Sequence, residues 1–379
     1  MRIVVINPGS TSTKLGVFQG TTPAALETLR HDSATLRAFA SLMDQAPWRE
    51  SLVRQWLMDQ GVALEGVDAF MARGGLMAPV PSGVLAVDDA MLEDLRSCRF
   101  GAHASNLGAI IARRLAPEGV PVLTADPVVV DEMDPIARFS GHPDIVRRSI
   151  FHALNHKAVA RRAAATLGKP VDALRLVVAH LGGGISVAAH RHGRVVDVNN
   201  ALDGDGPFSP ERSGGLPVAG VLAWCVQGLP METIRRKVVG GGGLAAYLGT
   251  NNAQEAVSRM EAGDTQAAQV LGAMAYQVAK EIGAMAVVLE GQVDAIVLTG
   301  GLAACAPVVE GIRRQVAFLA PVMVFPGEDE MHALAEAAEA ALTGKTPIMR
   351  YAAVRLDRPG ASSPNNPRAD GCQNPAPDA

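Results

Sequence analysis

Two stretches about half a chain apart follow the same plan, and that repetition restricts the fold more than any other feature of the sequence. Residues 2–18, RIVVINPGSTSTKLGVF, read as apolar strand, polar turn and apolar strand. Residues 174–198, LRLVVAHLGGGISVAAHRHGRVVDV, read as strand, glycine-rich turn, strand, tight turn at His192-Gly193, and strand. Runs rich in β-branched residues and bounded by turn residues predict strands. The copies share a pattern rather than residues, which points to an internal duplication. At 379 residues the chain has room for two domains with cores of their own.

Strands alternate with helices along the rest of the chain. Val67 to Met71 predicts a buried strand ending at Arg73-Gly74-Gly75, and Val120 to Thr124 one leading to Asp126-Pro127. Ala295 to Leu298 predicts another, running into Thr299-Gly300-Gly301. Helical spacing covers 35–60, 103–115, 147–167, 217–227, 265–290 and 330–342, the last closed by Gly344. In the 265–290 segment Leu271, Met274, Ala275, Val278, Ile282, Met285 and Leu289 fall on one face. The alternation makes an α/β protein, and two similar halves facing each other would leave a ligand cleft. The expected organisation is one domain from 1–149 with about 332–356 and a second from 150–331. From residue 357 to 379 the chain is rich in Pro, Asn, Asp and Ser without apolar periodicity, and is expected to be a disordered tail.

Bulk properties remove several classes of partner. A net charge of −4 gives no reason to expect nucleic acid or an anionic membrane. No apolar run approaches the ~18 residues that span a bilayer, and the N-terminal apolar run is too short for a signal-peptide core. Cys98, Cys225, Cys305 and Cys372 lie far apart, which fits reduced thiols of a cytoplasmic protein.

The first turn places Gly9, the hydroxyls Ser10, Thr11, Ser12 and Thr13, and Lys14 in succession. All donate hydrogen bonds, and phosphate oxygens accept them. It is not a Walker loop, because Thr13 rather than glycine precedes Lys14 and a strand follows. Gly182-Gly183-Gly184 and Gly300-Gly301 each follow an apolar strand, where the missing Cβ lets backbone N–H groups approach a phosphate or sugar. Three such turns in one chain favour a nucleotide over ordinary strand exits. Arg73 and Arg212 are candidate anion binders, although an arginine at a strand exit is ordinarily a solvated charge. His152 also reads as a satisfied helix histidine, Asp126 as a turn cap, and Glu328 as the first acid of the helix that follows.

The motifs INPGSTSTK, RGGL, HASNLGAIIA, DPVVVDEM, SIFHALN, AHLGGGISVA, DGPFSPERSG and LTGGLA stand in an order that resembles the acetate and butyrate kinase family. The likeness runs from residue 1 to about 356, and its wording is nearer the butyrate than the acetate branch. Acetate kinases have valines where this chain has Gly74-Gly75, and H-L-G-N-G where it has His180-Leu181-Gly182-Gly183-Gly184.

The resemblance implies the duplicated actin/hexokinase/Hsp70-like (ribonuclease H-like) ATPase fold with nucleotide in the interdomain cleft. It also implies reversible transfer of the γ-phosphoryl group of ATP to a short-chain fatty acid, butanoate foremost, giving an acyl phosphate and ADP. Acetate, propionate or a branched-chain acid is the alternative acceptor. Asn7, Ser10, Ser12 and Lys14 would contact phosphate, with His180, Gly182, Gly183, Gly184, Gly300 and Gly301 around the nucleotide. Arg73, Asp126, His152 and Arg212 would be catalytic, and Asn7, Asp126 and Glu328 would organise Mg²⁺. Gly74, Gly75 and Phe151 would line the acyl pocket. A homodimer or larger homo-oligomer is implied as well.

The chemistry suits such residues. A carboxylate nucleophile, with a pKa of roughly 4 to 5, is already ionised at pH 7 and needs no general base. Its difficulty is repulsion from the phosphoryl group, about 4 kcal/mol for two unit charges ~4 Å apart at an effective dielectric near 20. Arginines, a donor histidine and a metal answer that repulsion, and Asp126 is expected to position metal and water. The glycine pair is expected either to leave room for extra acyl carbons, each CH₂ contributing about 0.8 kcal/mol, or only to shape the strand exit. A sugar kinase of the same superfamily would need an aspartate base, and a regulator-type ATPase would hydrolyse ATP without an acid acceptor.

Overall fold

A computed structural model describes residues 1–357; the tail expected from residue 357 onward lies, apart from Asp357, outside them. The strands are β1 (Arg2–Pro8), β2 (Ser12–Gln19), β3 (Thr22–Arg30), β4 (Ala69–Ala72), β5 (Val84–Ala86), β6 (Val122–Ala125), β7 (Arg175–Leu181), β8 (Ile185–Arg191), β9 (Arg194–Val198), β10 (Ala295–Gly300), β11 (Val322–Pro326) and β12 (Ile348–Arg350). The helices that matter here are α1 (Gln45–Asp59), α2 (Asn106–Leu115), α3 (Ala153–Leu167), α4 (Val218–Val226), α5 (Thr265–Val288), α6 (Ala306–Val316) and α7 (Glu330–Leu342).

The chain divides into two compact units. One spans Met1–Asp131 and resumes at Asp329; the other spans Glu132–Glu328. These divisions fall earlier in the chain than the sequence-based boundaries at 149/150 and 331/332.

The first unit is built on a sheet of order β12-β5-β6-β4-β1-β2-β3. β1 pairs antiparallel with β2 and parallel with β4, and its residues from Ile3 onward are buried. A central strand covered on both faces needs an unbroken apolar run, which is what RIVVI supplies. Asn7 reaches α7 on one face, and Thr13, one residue from Asn7's partner Lys14, reaches α1 on the other.

The second unit repeats the plan as β11-β10-β7-β8-β9, again a central strand with an antiparallel meander on one side and parallel strands on the other. Both meanders carry a register shift between their second and third strands, at Val17/Phe18 and at Ala189/His190. The duplication is therefore one of topology, down to the irregularity. Alternation along β7 sends Val177, Ala179 and Leu181 into a core with Leu271, Met274, Val278, Ile282 and Met285 of α5. Leu176 and Val178 turn the other way, onto Val159, Ala160, Ala163 and Ala164 of α3.

Local differences from the expected elements have physical causes. The helix expected from 147 starts only at Ala153, so His152 sits at its N-cap rather than within it. The helix expected over 35–60 breaks into Ser33–Arg37 and α1. Ser41 N–H bonds to Asp44 Oδ2 and Asp44 N–H to Ser41 Oγ just before α1, whose first turn holds Pro47. β3 has no buried residue and forms through its pairing with β2. Cys225 and Cys305 are free thiols. Among the described residues no helix is long and apolar enough to cross a membrane.

Candidate active site

In the first unit the β1–β2 hairpin sets the site. Asn7 and Lys14 are directly paired across it, so their side chains share a face, joined by Ser12 two residues from Lys14. Asn7 is buried and donates from Nδ2 to Glu330 Oε2 at 2.8 Å. Arg73, just beyond β4, bonds through its backbone N–H to Ile6 O. Its guanidinium lies 3.2 Å from Glu330 Oε1 and donates to Asn7 Oδ1 at 3.5 Å. Asn7, Arg73 and Glu330 thus form one cluster, with the carboxylate 7% exposed at the start of α7.

Glu330, and not Glu328, is the acid that touches Asn7. Glu328 belongs to the second unit, where its Oε1 lies 3.0 Å from His180 Nε2. Of the acids in Glu328-Asp329-Glu330, only the last heads the buried stripe Ala333, Leu334, Ala338 of α7. That spacing is a signal present in the sequence.

Asp126 follows β6 in the left-handed region, with φ 39°. Its Oδ1 accepts from Ser82 Oγ at 2.6 Å and from the Gly83 N–H at 2.9 Å. Ser10 is exposed at the tip of the hairpin.

The glycine pair is closely packed by its neighbours. A Cβ at Gly75 would lie 2.5 Å from Asn106 Oδ1, 2.6 Å from its Cα and 2.8 Å from its backbone nitrogen. One at Gly74 would lie 2.5 Å from Pro127 Cβ and 2.9 Å from Thr124 Oγ1. A branched side chain at either position would therefore meet protein atoms. The glycines let α2 and the Asp126-Pro127 turn approach the strand exit, the second of the two roles expected of the pair.

In the second unit Gly182, Gly183 and Gly184 form the β7–β8 turn. A Cβ on Gly182 would meet His180 and Glu328, and one on Gly183 would meet Glu211 Oε1 at 2.8 Å. The Gly184 Cβ position is 3.4 Å from Arg212 Cζ and Nη1, so the guanidinium lies over the turn. Arg212 Nη1 is 3.3 Å from Glu211 Oε1, whereas its buried Nε has no partner. Ser209 Oγ donates to Gly183 O at 2.5 Å, tying the Phe208–Gly214 loop to the same turn. Gly300, φ 88°, closes β10 against β7, where a Cβ would fall 2.4 Å from Leu181 O. Gly301 is exposed, with nothing within 4 Å of its Cβ position.

A line of histidines runs beneath this turn. The rings of His152 and His180 stack at 3.7 Å, and His180 Nδ1 is 3.2 Å from Asn155 Oδ1. His152 Nδ1 and His156 Nε2 each lie 2.9 Å from Ser186 Oγ, and His156 Nδ1 is 3.3 Å from His190 Nε2. Phe151 is buried edge-on to His156. Burial, aided by neighbouring positive groups, pushes His156 well below its ordinary value and His190 to about 3, so both are neutral at pH 7.

The buried His190 Nδ1 has no partner. An orphaned N–H costs more than an orphaned lone pair, which leaves that nitrogen bare and puts the proton on Nε2. With that tautomer His190 Nε2 donates to His156 Nδ1, and His156 Nε2 to Ser186 Oγ, which also lies beside His152. Ser186, His156 and His190 escape a reading by sequence spacing, since β8 and α3 meet only in the fold.

The two sheets share one plan, and each presents a hairpin turn with an arginine close by, Arg73 at the first and Arg212 at the second. Residues 138–343 match the Acetokinase family, and the chain belongs to that family. A probable butyrate kinase of Listeria monocytogenes is 48% identical over 344 residues, 90% of this chain and 97% of that protein. Butyrate kinase 2 of Clostridium acetobutylicum is 47% identical over 352 residues, 92% and 99% of the two. The acetate kinase of Porphyromonas gingivalis superposes with TM-score 0.73 at 20% identity, covering 90% of this chain and 99% of its own. A propionate kinase of Francisella tularensis gives 0.70 at 20%, covering 89% and 98%. These solved kinases carry the actin/hexokinase-like ATPase fold, and the chain shares it.

Proposed function

We propose that the protein transfers the γ-phosphoryl group of ATP reversibly to butanoate, giving butanoyl phosphate and ADP. The observation that carries this reading is identity of 47–48% to butyrate kinases across nine-tenths of the chain. A cytoplasmic location, where ATP and short acids meet, fits it.

The residues have separable tasks. Ser10, Ser12 and Lys14 hold the transferring phosphoryl group, and the Gly182–Gly184 turn with Gly300 and Gly301 takes the nucleotide. Arg73 and Arg212 offset the negative charge of donor and acceptor, and His152 donates to a phosphoryl oxygen. The acceptor is already a carboxylate, so no residue is assigned as a base, and Asp126 orients water around the phosphates.

Asn7 and Glu330 suit Mg²⁺: an amide oxygen and one carboxylate are what a hard cation shared with substrate phosphates requires. Among the described residues no group of three or more acids, histidines or cysteines forms a dedicated cage, which agrees with an ion brought in by the nucleotide. When bound, the ion would neutralise phosphate charge. Glu330→Gln is expected to raise the Mg²⁺ concentration for half-maximal rate about 10-fold or more, and Glu328→Gln much less, in a Mg²⁺ titration. The reverse ranking would return the role to Glu328.

Hydroxylamine trapping of the acyl phosphate, across straight and branched acids of two to six carbons, tests the acceptor. The highest kcat/KM is expected with butanoate. A better rate with acetate, propionate or a branched acid would reassign the substrate, and ADP release without hydroxamate from any acid would remove the carboxylate as acceptor.

A further inference from the structure

The reverse side of the first hairpin buries a positive charge. Arg49 of α1 is 1% exposed, and the hydrogen bonds of its guanidinium go to neutral oxygens. Nε and Nη2 both donate to Gln45 Oε1, at 3.1 and 2.9 Å. Nη1 donates to Gly9 O at 2.9 Å, Ser12 O at 3.1 Å and Thr13 Oγ1 at 3.2 Å, while Nη2 donates to Ser10 O at 3.2 Å. The remaining carbonyl of the turn, Thr11 O, accepts from the His31 N–H at 2.8 Å.

Each carbonyl from Gly9 to Ser12 is thus tied on the side of α1 and His31. In a trans peptide the N–H opposes the C=O, so the N–H groups of Ser10 and Thr11 point away from Arg49, toward the exposed side of the turn. Successive N–H groups aimed to one side make a concavity for an anion.

The charge itself calls for an explanation. A neutral donor would tether carbonyls without the cost of desolvating a cation. Burial lowers the Arg49 guanidinium only to about 10, so it stays protonated at pH 7. Its neighbour His31, 2.8 Å from Thr13 Oγ1, is lowered to about 4 by burial and by Arg49, and supplies no second charge. The positive charge behind the turn is answered when an anion arrives in front of it.

We propose that Arg49 is a positioning residue for phosphate binding, fixing the peptide planes of the first turn so that their N–H groups meet the transferring phosphoryl group, and backing them with a positive charge. This rests on the proposal above that the first turn holds that group.

The test runs in the ATP-forming direction with butanoyl phosphate and ADP. Arg49→Lys keeps the charge but cannot fan its donors over three carbonyls and Gln45. It is expected to raise KM for butanoyl phosphate about tenfold or more while leaving KM for ADP within about twofold. Equal rises in both constants, or a lower Tm with neither constant changed, would make Arg49 a structural tie and overturn the inference. Lys14→Ala separates the two proposals. If it raises KM for butanoyl phosphate and Arg49→Lys does not, only the role of Arg49 fails; if neither variant does, the phosphate role of the turn fails. Should Arg49→Lys not fold, Gln45→Met removes the oxygen that orients two of the guanidinium nitrogens. A smaller rise confined to butanoyl phosphate is then expected, and no rise overturns the proposal.

Discussion

Arg73→Ala is expected to lower kcat about 10³-fold while KM for ATP changes only a few-fold. Arginines that act on a transferring phosphoryl group act mainly in the transition state, where their removal costs about 10³ or more in rate, some 4 kcal/mol. The geometry around Arg73 adds a second effect. Glu330 Oε1 lies 3.2 Å from its guanidinium, so the alanine variant leaves a buried carboxylate without its cation. Arg73→Lys retains the charge but not the fork that spans Glu330 and Asn7, and should recover only part of the rate. Steady-state hydroxamate assays on folded variants decide the matter. A fall below about tenfold for the alanine variant would restrict Arg73 to pairing with Glu330 and take it out of the reaction.

Gly75→Val is expected to damage the fold rather than shift substrate preference. The added Cβ would lie within 2.8 Å of the Asn106 backbone nitrogen, Cα and Oδ1. Asn106 opens α2, accepts from the Leu76 N–H at 2.8 Å, and donates to Gly101 O at 3.0 Å. Displacing it breaks both bonds and lifts a buried helix off the sheet. A cost of about 3 kcal/mol follows from overpacking and broken hydrogen bonds together, lowering Tm by about 6–10 °C. Thermal unfolding reads that directly, alongside kcat/KM across the acid series. An unchanged Tm with a preference moved toward acetate would restore the glycine pair to the acyl pocket.

How much of this was legible in the sequence varied with burial. The central strands β1 and β7 are covered on both faces, so they announce themselves as continuous apolar runs. β3 has no buried residue, and β5 and β12 are three residues long; their existence depends on neighbouring strands and leaves no local pattern. Hydrogen-bond donors in the first turn and the arginine after β4 were visible because they adjoin strong strand signals. That Glu330 rather than Glu328 reaches Asn7 is visible only by following the stripe of α7 back to its first residue. Arg49 reads as an ordinary helix arginine, since nothing in QAPWRESLV tells that its partners lie some 40 positions earlier. Sequence gives no view of what fills the space beside the glycines after Arg73, since Asn106, Thr124 and Pro127 meet them only in the fold.

The hydrogen bond from Asn7 to Glu330 joins residues 323 positions apart. Between them lies the whole of the contiguous second unit, Glu132–Glu328, while α7, which covers β1 and β4, comes after it. On a translating ribosome at roughly 5–20 residues per second, the first hairpin emerges on the order of ten seconds or more before its carboxylate is made. Throughout that interval one face of β1 and β4 lacks the helix that shields it, and Asn7 lacks the carboxylate it bonds to. The first hairpin and the buried face of β1 therefore complete their contacts only after the whole second unit has been made.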